Sequence, residues 1–176
     1  MENLKNYLLE KLDSEIKNRR SIIKDFIRKN YWGASNIKFD KNLTEDGKII
    51  VNGLDIQVKN KSLENLTTND FVFGEVLLFT CIDCKNLKSL EGAPVKCGSF
   101  VVTNCPNINS LDHIPTQTYG NHKGISFTWY NNGENFNEDD FEKVCDNTNF
   151  TLYSIDPDSN EAYLRRIEKA GAGLNK

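Results

Sequence analysis

The chain has 176 residues, 38% hydrophobic and 27% charged, with no apolar run long enough to cross a membrane as a helix, so one globular domain of ordinary size is expected. A net charge of -3 argues against nucleic-acid binding by bulk electrostatics, and His113 and His122 are the only imidazoles on offer for catalysis or metal binding. Met1 to Asp13 carries Glu2, Lys5, Glu10 and Lys11 where the apolar centre of an export signal would sit. A cytoplasmic location is therefore expected, with the five cysteines as reduced thiols.

Residues 1–30 read as helix, because Leu4, Leu8, Leu12 and Ile16 recur at i+4 and Ile23 and Ile27 resume the spacing. Arg19, Arg20 and Ser21 interrupt this stripe, and Ser21 is a suitable cap for a second helix, so either one bent helix or two is expected. The element should end near Trp32-Gly33, with Asn36 to Phe39 extended beyond it. Lys48–Val51 and Leu54–Val58 then read as two short strands joined by a tight turn at Asn52-Gly53.

From there the chain repeats. Val76, Phe79, Cys81, Cys84, Leu87 and Leu90 match Cys97, Phe100, Val102, Cys105, Ile108 and Leu111 at a constant offset of 21. Asn86, Ser89 and Pro94 match Asn107, Ser110 and Pro115 in the same frame. A partial third copy places Phe127, Trp129 and Asn132 at an offset of 27, with six residues inserted around Gln117 to Lys123. An opening copy runs through Ile56, Val58, Lys61, Leu63 and Leu66. Four units at this period, with apolar residues in an x-x-L-x-L-x-x-N/C-x-L frame, predict a leucine-rich-repeat-like solenoid in which inward side chains stack from unit to unit.

Beyond the repeats, Asn137 can cap a helix from Glu138 to Asp146 with Phe141, Val144 and Cys145 as its apolar residues. Phe150 to Ile155 reads as a strand, and Ser159 to Ala170 as a helix with Leu164 and Ile167 inward and Gly171 closing it. The fold class expected is α+β: a short solenoid (34–132) between an N-terminal helical cap (1–33) and a helical C-terminal cap (133–176), all one structural domain.

The run Asn86-Leu87-Lys88-Ser89-Leu90-Glu91-Gly92-Ala93-Pro94, preceded by Phe79-x-Cys81-x-x-Cys84, resembles the "NLxSLEGAP" repeats of bacteriophage leucine-rich-repeat-like proteins. The segment from Glu45 to Ile56 is similar to the "DGxIxVNGxVxI" stretch that introduces such repeats. The resemblance covers about Ile37 to Pro115 and departs from the pattern at Asp112-His113-Ile114-Pro115, where a divergent turn is expected. It implies a solenoid, a phage source and so a host cytoplasm; it brings no activity and no catalytic residues.

Cys81, Cys84, Cys97 and Cys105 invite a four-thiolate zinc reading. The repeat opposes it, since Cys81 shares its position with Val102 and Cys97 with Val76, and thiols therefore fall where small apolar groups are wanted. No metal, cofactor or catalytic set is expected: no Ser, His and Asp constellation stands at a recognisable spacing. The acidic group Glu134, Glu138, Asp139, Asp140 and Glu142 complements a helix dipole better than it builds a calcium loop. The N-terminal stripe reads as a capping helix before a partner or membrane-surface helix.

Function is then sought on the outward strand positions. Asp55, Gln57 and Lys59 lead to Leu78, Thr80 and Ile82, then to Ser99, Val101 and Thr103, and to Ser126, Thr128 and Tyr130. Leu78, Thr80, Ile82, Val101, Thr103, Thr128 and Tyr130 are the candidate binding residues, unless the N-terminal helix packs over them. The expected partner is a protein, host or phage, with no nucleic acid and no membrane; the oligomeric state is open. The alternative is a structural or assembly protein of the phage particle that self-associates, since residues 2–29 hold eight basic and five acidic side chains and 134–161 hold nine acidic and one basic.

Overall fold

The computed structural model describes residues 2–33, 36–130, 132–133, 139–140, 142–143, 150–156 and 161–166, the last two segments as backbone. One long helix, α1 (Glu2–Asn30), leads into nine strands: β1 (Tyr31–Trp32), β2 (Lys38–Leu43), β3 (Ile49–Val58), β4 (Phe71–Ile82), β5 (Lys96–Thr103), β6 (Gln117–Thr118), β7 (Gly124–Tyr130), β8 (Phe150–Asp156) and β9 (Glu161–Arg166). All nine belong to one sheet in the order β1-β3-β4-β5-β7-β9-β8, with β2 beside β3 and β6 beside β5. β3, β4, β5 and β7 run parallel, one per coil, so the chain winds as a short β-solenoid with one helix against it.

The repeat sets the register. Val76 pairs with Cys97, Phe79 with Phe100 and Cys81 with Val102, each at the offset of 21 read from the sequence. Lys96 still pairs with Gln117 at 21, whereas Phe100 pairs with Phe127 at 27, so the six inserted residues fall between Thr118 and Ser126. Parallel stacking brings identical positions to about 4.8 Å, and the inward rings form a spine: Phe73 to Phe79 at 5.5 Å, Phe79 to Phe100 at 5.7 Å and nearly coplanar, Phe100 to Phe127 at 5.8 Å. Leu63, Leu66, Leu87, Leu90, Ile108 and Ile114 close the core from the connecting turns.

Each turn repeats the same bonds. Ser89 Oγ accepts from the Glu91 amide at 3.0 Å and Ser110 Oγ from the Asp112 amide at 2.9 Å. The backbone is left-handed at Asp83 (φ 57°) and at its counterpart Asn104 (φ 53°), and again at Gly92 (φ 87°) and its counterpart His113 (φ 65°). The divergent turn expected at Asp112–Pro115 is therefore absent: histidine accepts the left-handed region at modest cost, so the backbone keeps the shape glycine gives it one coil earlier.

α1 is a single helix with no second cap at Ser21. It stops at Asn30, whose side-chain Nδ2 donates back to the Phe26 carbonyl at 2.8 Å while its backbone carbonyl accepts the Lys59 and Asn60 amides. Ile23 and Ile27 are fully buried and Phe26 meets the Phe71 ring edge-on at 5.7 Å. The helix therefore lies against the inner side of the first coil. Gly33 serves the turn after β1 instead of the helix end: at φ 81° a Cβ there would sit 1.6 Å from the Asp55 carbonyl oxygen.

Two further expectations are corrected. Asn52-Gly53 is not a hairpin turn but an irregularity inside the continuous strand β3; β2 pairs with it as far as Asn52 and β4 carries the ladder across, with Asn52 Oδ1 accepting the Glu75 amide at 2.7 Å. The helix expected over Ser159–Ala170 is replaced by β9 at Glu161–Arg166, which pairs antiparallel with both β7 and β8. Glu, Ala, Leu and Arg favour helix locally, but β7 would otherwise present a row of unpaired backbone groups, and the tertiary demand wins. The strand expected at Phe150–Ile155 is present as β8. Of the expected helix Glu138–Asp146, residues 139, 140, 142 and 143 are helical, and Phe141, Val144 and Cys145 lie outside the described residues, as do Ile167, Ala170 and Gly171.

Candidate functional site

Strands of a solenoid alternate between core and outer face, and the pairing shows which residues share an outward row. One row runs Trp32, Gln57, Thr80, Val101, Thr128 across β1, β3, β4, β5 and β7. The row beside it runs Ile82, Thr103, Tyr130, and a third runs Asp55, Leu78, Ser99, Ser126. The candidate residues Leu78, Thr80, Ile82, Val101, Thr103, Thr128 and Tyr130 are thus brought together on one surface. Because α1 packs against the opposite side, this surface is not covered by the helix.

Exposure varies along it. Leu78, Ile82, Val101, Thr103 and Thr128 are half-buried by their neighbours, Thr80 is nearly closed off at 8%, and Tyr130 stands half exposed. Trp32 belongs to the same face, is 61% exposed, and lies under the Lys59 ammonium, whose nitrogen is 4.9 Å from the ring centroid. Four strand spacings separate β1 from β7, so the two exposed aromatics stand about 19 Å apart with the hydroxyl and aliphatic rows between them. Sequence reasoning missed Trp32 because it placed the residue at a helix end; the signal available was that an aromatic pair Tyr31-Trp32 before a left-handed glycine suits a strand with one ring in and one out. Tyr31 is indeed the inward partner, its hydroxyl donating to the Leu66 carbonyl.

Where β2, the middle of β3 and Glu75 meet Tyr119, a cleft of about 430 Å³ opens, lined by Asn36, Ile37, Lys38, Asn52, Gly53, Leu54, Glu75 and Tyr119. Glu75 is bound to Lys96 at 2.5 Å, so the charges at its rim are largely matched.

The thiols occupy the core. Cys81, Cys84, Cys97 and Cys105 are buried and free. Cys84 Sγ donates to the Ile82 carbonyl and Cys105 Sγ to the Thr103 carbonyl, the same bond one coil apart. For Cys84 the bond with Cys105 pulls the thiol down, but the bond with Cys81 and burial outweigh it and push it up to about 12. Burial pushes Cys97 up to about 12 as well, and Cys105 is raised by its bond with Cys84 and by burial. Protonated, buried thiols of this kind pack as small hydrophobes. Among the described residues no three His, Cys, Asp or Glu side chains are grouped to hold a metal ion. His113 and His122 are exposed.

No helix among the described residues is long and apolar enough to cross a membrane. Comparison with family models, with characterised proteins and with solved structures gives no match.

Proposed function

We propose that this protein is a small interaction module of the phage leucine-rich-repeat-like type, which acts in a host cytoplasm by binding a host or phage protein through its outer sheet face and performs no catalysis of its own. The observation that carries this reading is the alignment of Ile82, Val101, Leu78 and Tyr130 with Trp32 on one uncovered surface, interleaved with Thr80, Thr103 and Thr128. Aliphatic side chains interleaved with hydroxyls, between an exposed aromatic at either end and with charges such as Asp55 and Lys59 beside them, give the mixed apolar and polar composition of protein-binding surfaces. Support for the leucine-rich-repeat type and the phage source comes from the "NLxSLEGAP"-like run Asn86–Pro94 and from the 21-residue frame.

The test is capture of the partner by tagged protein, compared between the natural chain and the double variant Ile82→Glu, Val101→Glu. Charge at the centre of the face should abolish capture and leave the circular dichroism spectrum and melt nearly unchanged, since neither side chain enters the core. A double variant that folds and still captures the same partner moves the site off this face.

A further inference from the structure

The apolar stripe of α1 has two fates. Its 29 residues span about 43 Å. From Arg19 onward the stripe is anchored: the Arg19 guanidinium donates to the Gly47 carbonyl at 2.9 Å and stands 3.8 Å from Asp70, at the rim where β3 and β4 begin. Before Arg19 the helix runs past that rim. Leu4, Tyr7, Leu8, Leu9 and Leu12 are 63, 52, 56, 51 and 51% exposed. At 100° per residue Leu4, Leu8, Leu12 and Ile16 share the face of Ile23, Phe26 and Ile27, so the side that docks on the solenoid in the second half faces solvent in the first.

We propose that this overhanging arm, residues 2–17, pairs antiparallel with the arm of a second copy of this chain. Charge selects the occupant. The arm carries three basic side chains (Lys5, Lys11, Lys17) and four acidic ones (Glu2, Glu10, Asp13, Glu15), so it has no cationic face for an anionic bilayer and no strong charge to repel its own copy. In an antiparallel pair centred on Glu10, Leu4 stands level with the second copy's Ile16, Leu8 with its Leu12, and Lys5 with its Glu15. By symmetry the Lys5–Glu15 pair occurs once on each side of a leucine centre, while Glu10 itself points to the far side. Two arms of about 25 Å bury on the order of 1,000 Å² in total, the lower bound for a specific contact, so pairing should be reversible in the micromolar range. The outer sheet faces stay free, and a pair presents two of them to one partner.

Sedimentation equilibrium of the full chain tests this. The mass should rise from one chain to two across the micromolar range, and Leu8→Glu with Leu12→Glu should hold it at one chain with an unchanged melt. Carbodiimide cross-linking of a mixture of isotope-labelled and unlabelled natural protein should join Lys5 of one copy to Glu15 of the other, a readout that needs no variant. A single-chain mass at every concentration, association undiminished in the folded double variant, a mass above two chains, or intermolecular links joining only like ends of the arms would overturn the proposal. So would pelleting with phosphatidylcholine–phosphatidylserine vesicles that the double variant loses, which would give the stripe to a bilayer.

Discussion

The coils of β4 and β5 and the coils at either end of the solenoid solve one packing problem with different means. Between β4 and β5 the packing repeats: Phe79 lies on Phe100 with the rings 10° from coplanar, Cys84 precedes Cys105, and both turns place a left-handed residue at the same two points. At the ends the same column changes chemistry. Where the central coils have cysteine, the opening coil has Lys61, whose ammonium reaches out to the Ile82 carbonyl, and the closing coil has Asn132, which accepts the Cys105 amide at 2.9 Å and donates to the Val102 carbonyl at 2.8 Å. A middle coil has a neighbour on each side to match its shape and needs only apolar filling. The polar residue of an end coil instead bonds backbone groups of the central coil beside it, the Ile82 carbonyl for Lys61 and the Cys105 amide and Val102 carbonyl for Asn132.

Removing a ring from the middle breaks this arrangement most. Phe79→Ala and Phe100→Ala are each expected to cost about 3–5 kcal/mol, because both rings are fully buried between rings on either side. Thr80→Ala, next to Phe79 but on the outer face, should cost far less despite its low exposure, since only a small hydroxyl-bearing side chain is shortened. Urea melts of the three variants check it; a Thr80→Ala loss matching that of Phe79→Ala would mean that Thr80 and not the ring faces the core.

Alkali should act through the thiols of the central coils. A free thiol ionises near 9.0, while burial holds Cys97 protonated up to about 12. Below pH 9 native and unfolded chains bind this proton alike and the stability is fully present. Above it the unfolded chain releases a proton that the native chain keeps, so stability falls as pH rises from 9 towards 12, by about 1.4 kcal/mol per pH unit for one such group. About 2 kcal/mol should be gone by pH 10.5. Cys97→Ala should give a shallower decline in denaturant titrations at pH 7.5, 9 and 10.5; an unchanged slope would show that this thiol is not the group responsible.

What was legible in the sequence follows the same division. The constant offset of 21 between Val76 and Cys97, Phe79 and Phe100 is the strand register itself, because parallel coils of equal length must bring equal positions together. The outward rows were readable for the same reason, from Leu78 through Tyr130. At the ends α1 and β8 were readable and the rest was not, because there the deciding contacts are with single, unrepeated partners. Glu161–Arg166 carries good helix formers and becomes a strand only because β7 and β8 lie on both sides. Asn52-Gly53 has the composition of a hairpin turn and is a bulge only because β4 holds the chain on both sides of it. Trp32 joined the candidate face through its pairing with Gln57, a contact 25 residues away that decides between strand and helix end where the local aromatic pair only suggests it.

The finest difference between the two middle coils is the left-handed residue of their second turn, glycine in one and histidine in the other. His113 is exposed and at φ 65° carries the strain of a Cβ in that region, which glycine lacks. Gly92 at φ 87° is different in its surroundings, because a Cβ there would stand 2.3 Å from Thr67 Oγ1. An exchange between equivalent positions should therefore be asymmetric. Giving the second turn the residue of the first, His113→Gly, should stabilise by about 0.5 kcal/mol, the relief of the left-handed strain less the entropy that glycine adds to the unfolded chain. Gly92→His should destabilise by about 1–2 kcal/mol, since it adds that strain and a contact that Thr67 must yield to. Gly92→His with Thr67→Ala separates the two costs: loss of Oγ1 and Cγ2 relieves the contact and leaves the strain, so the double variant should recover part of the loss. Equal and opposite effects in the two single variants would mean that strain alone distinguishes the turns and that the opening coil does not press on Gly92.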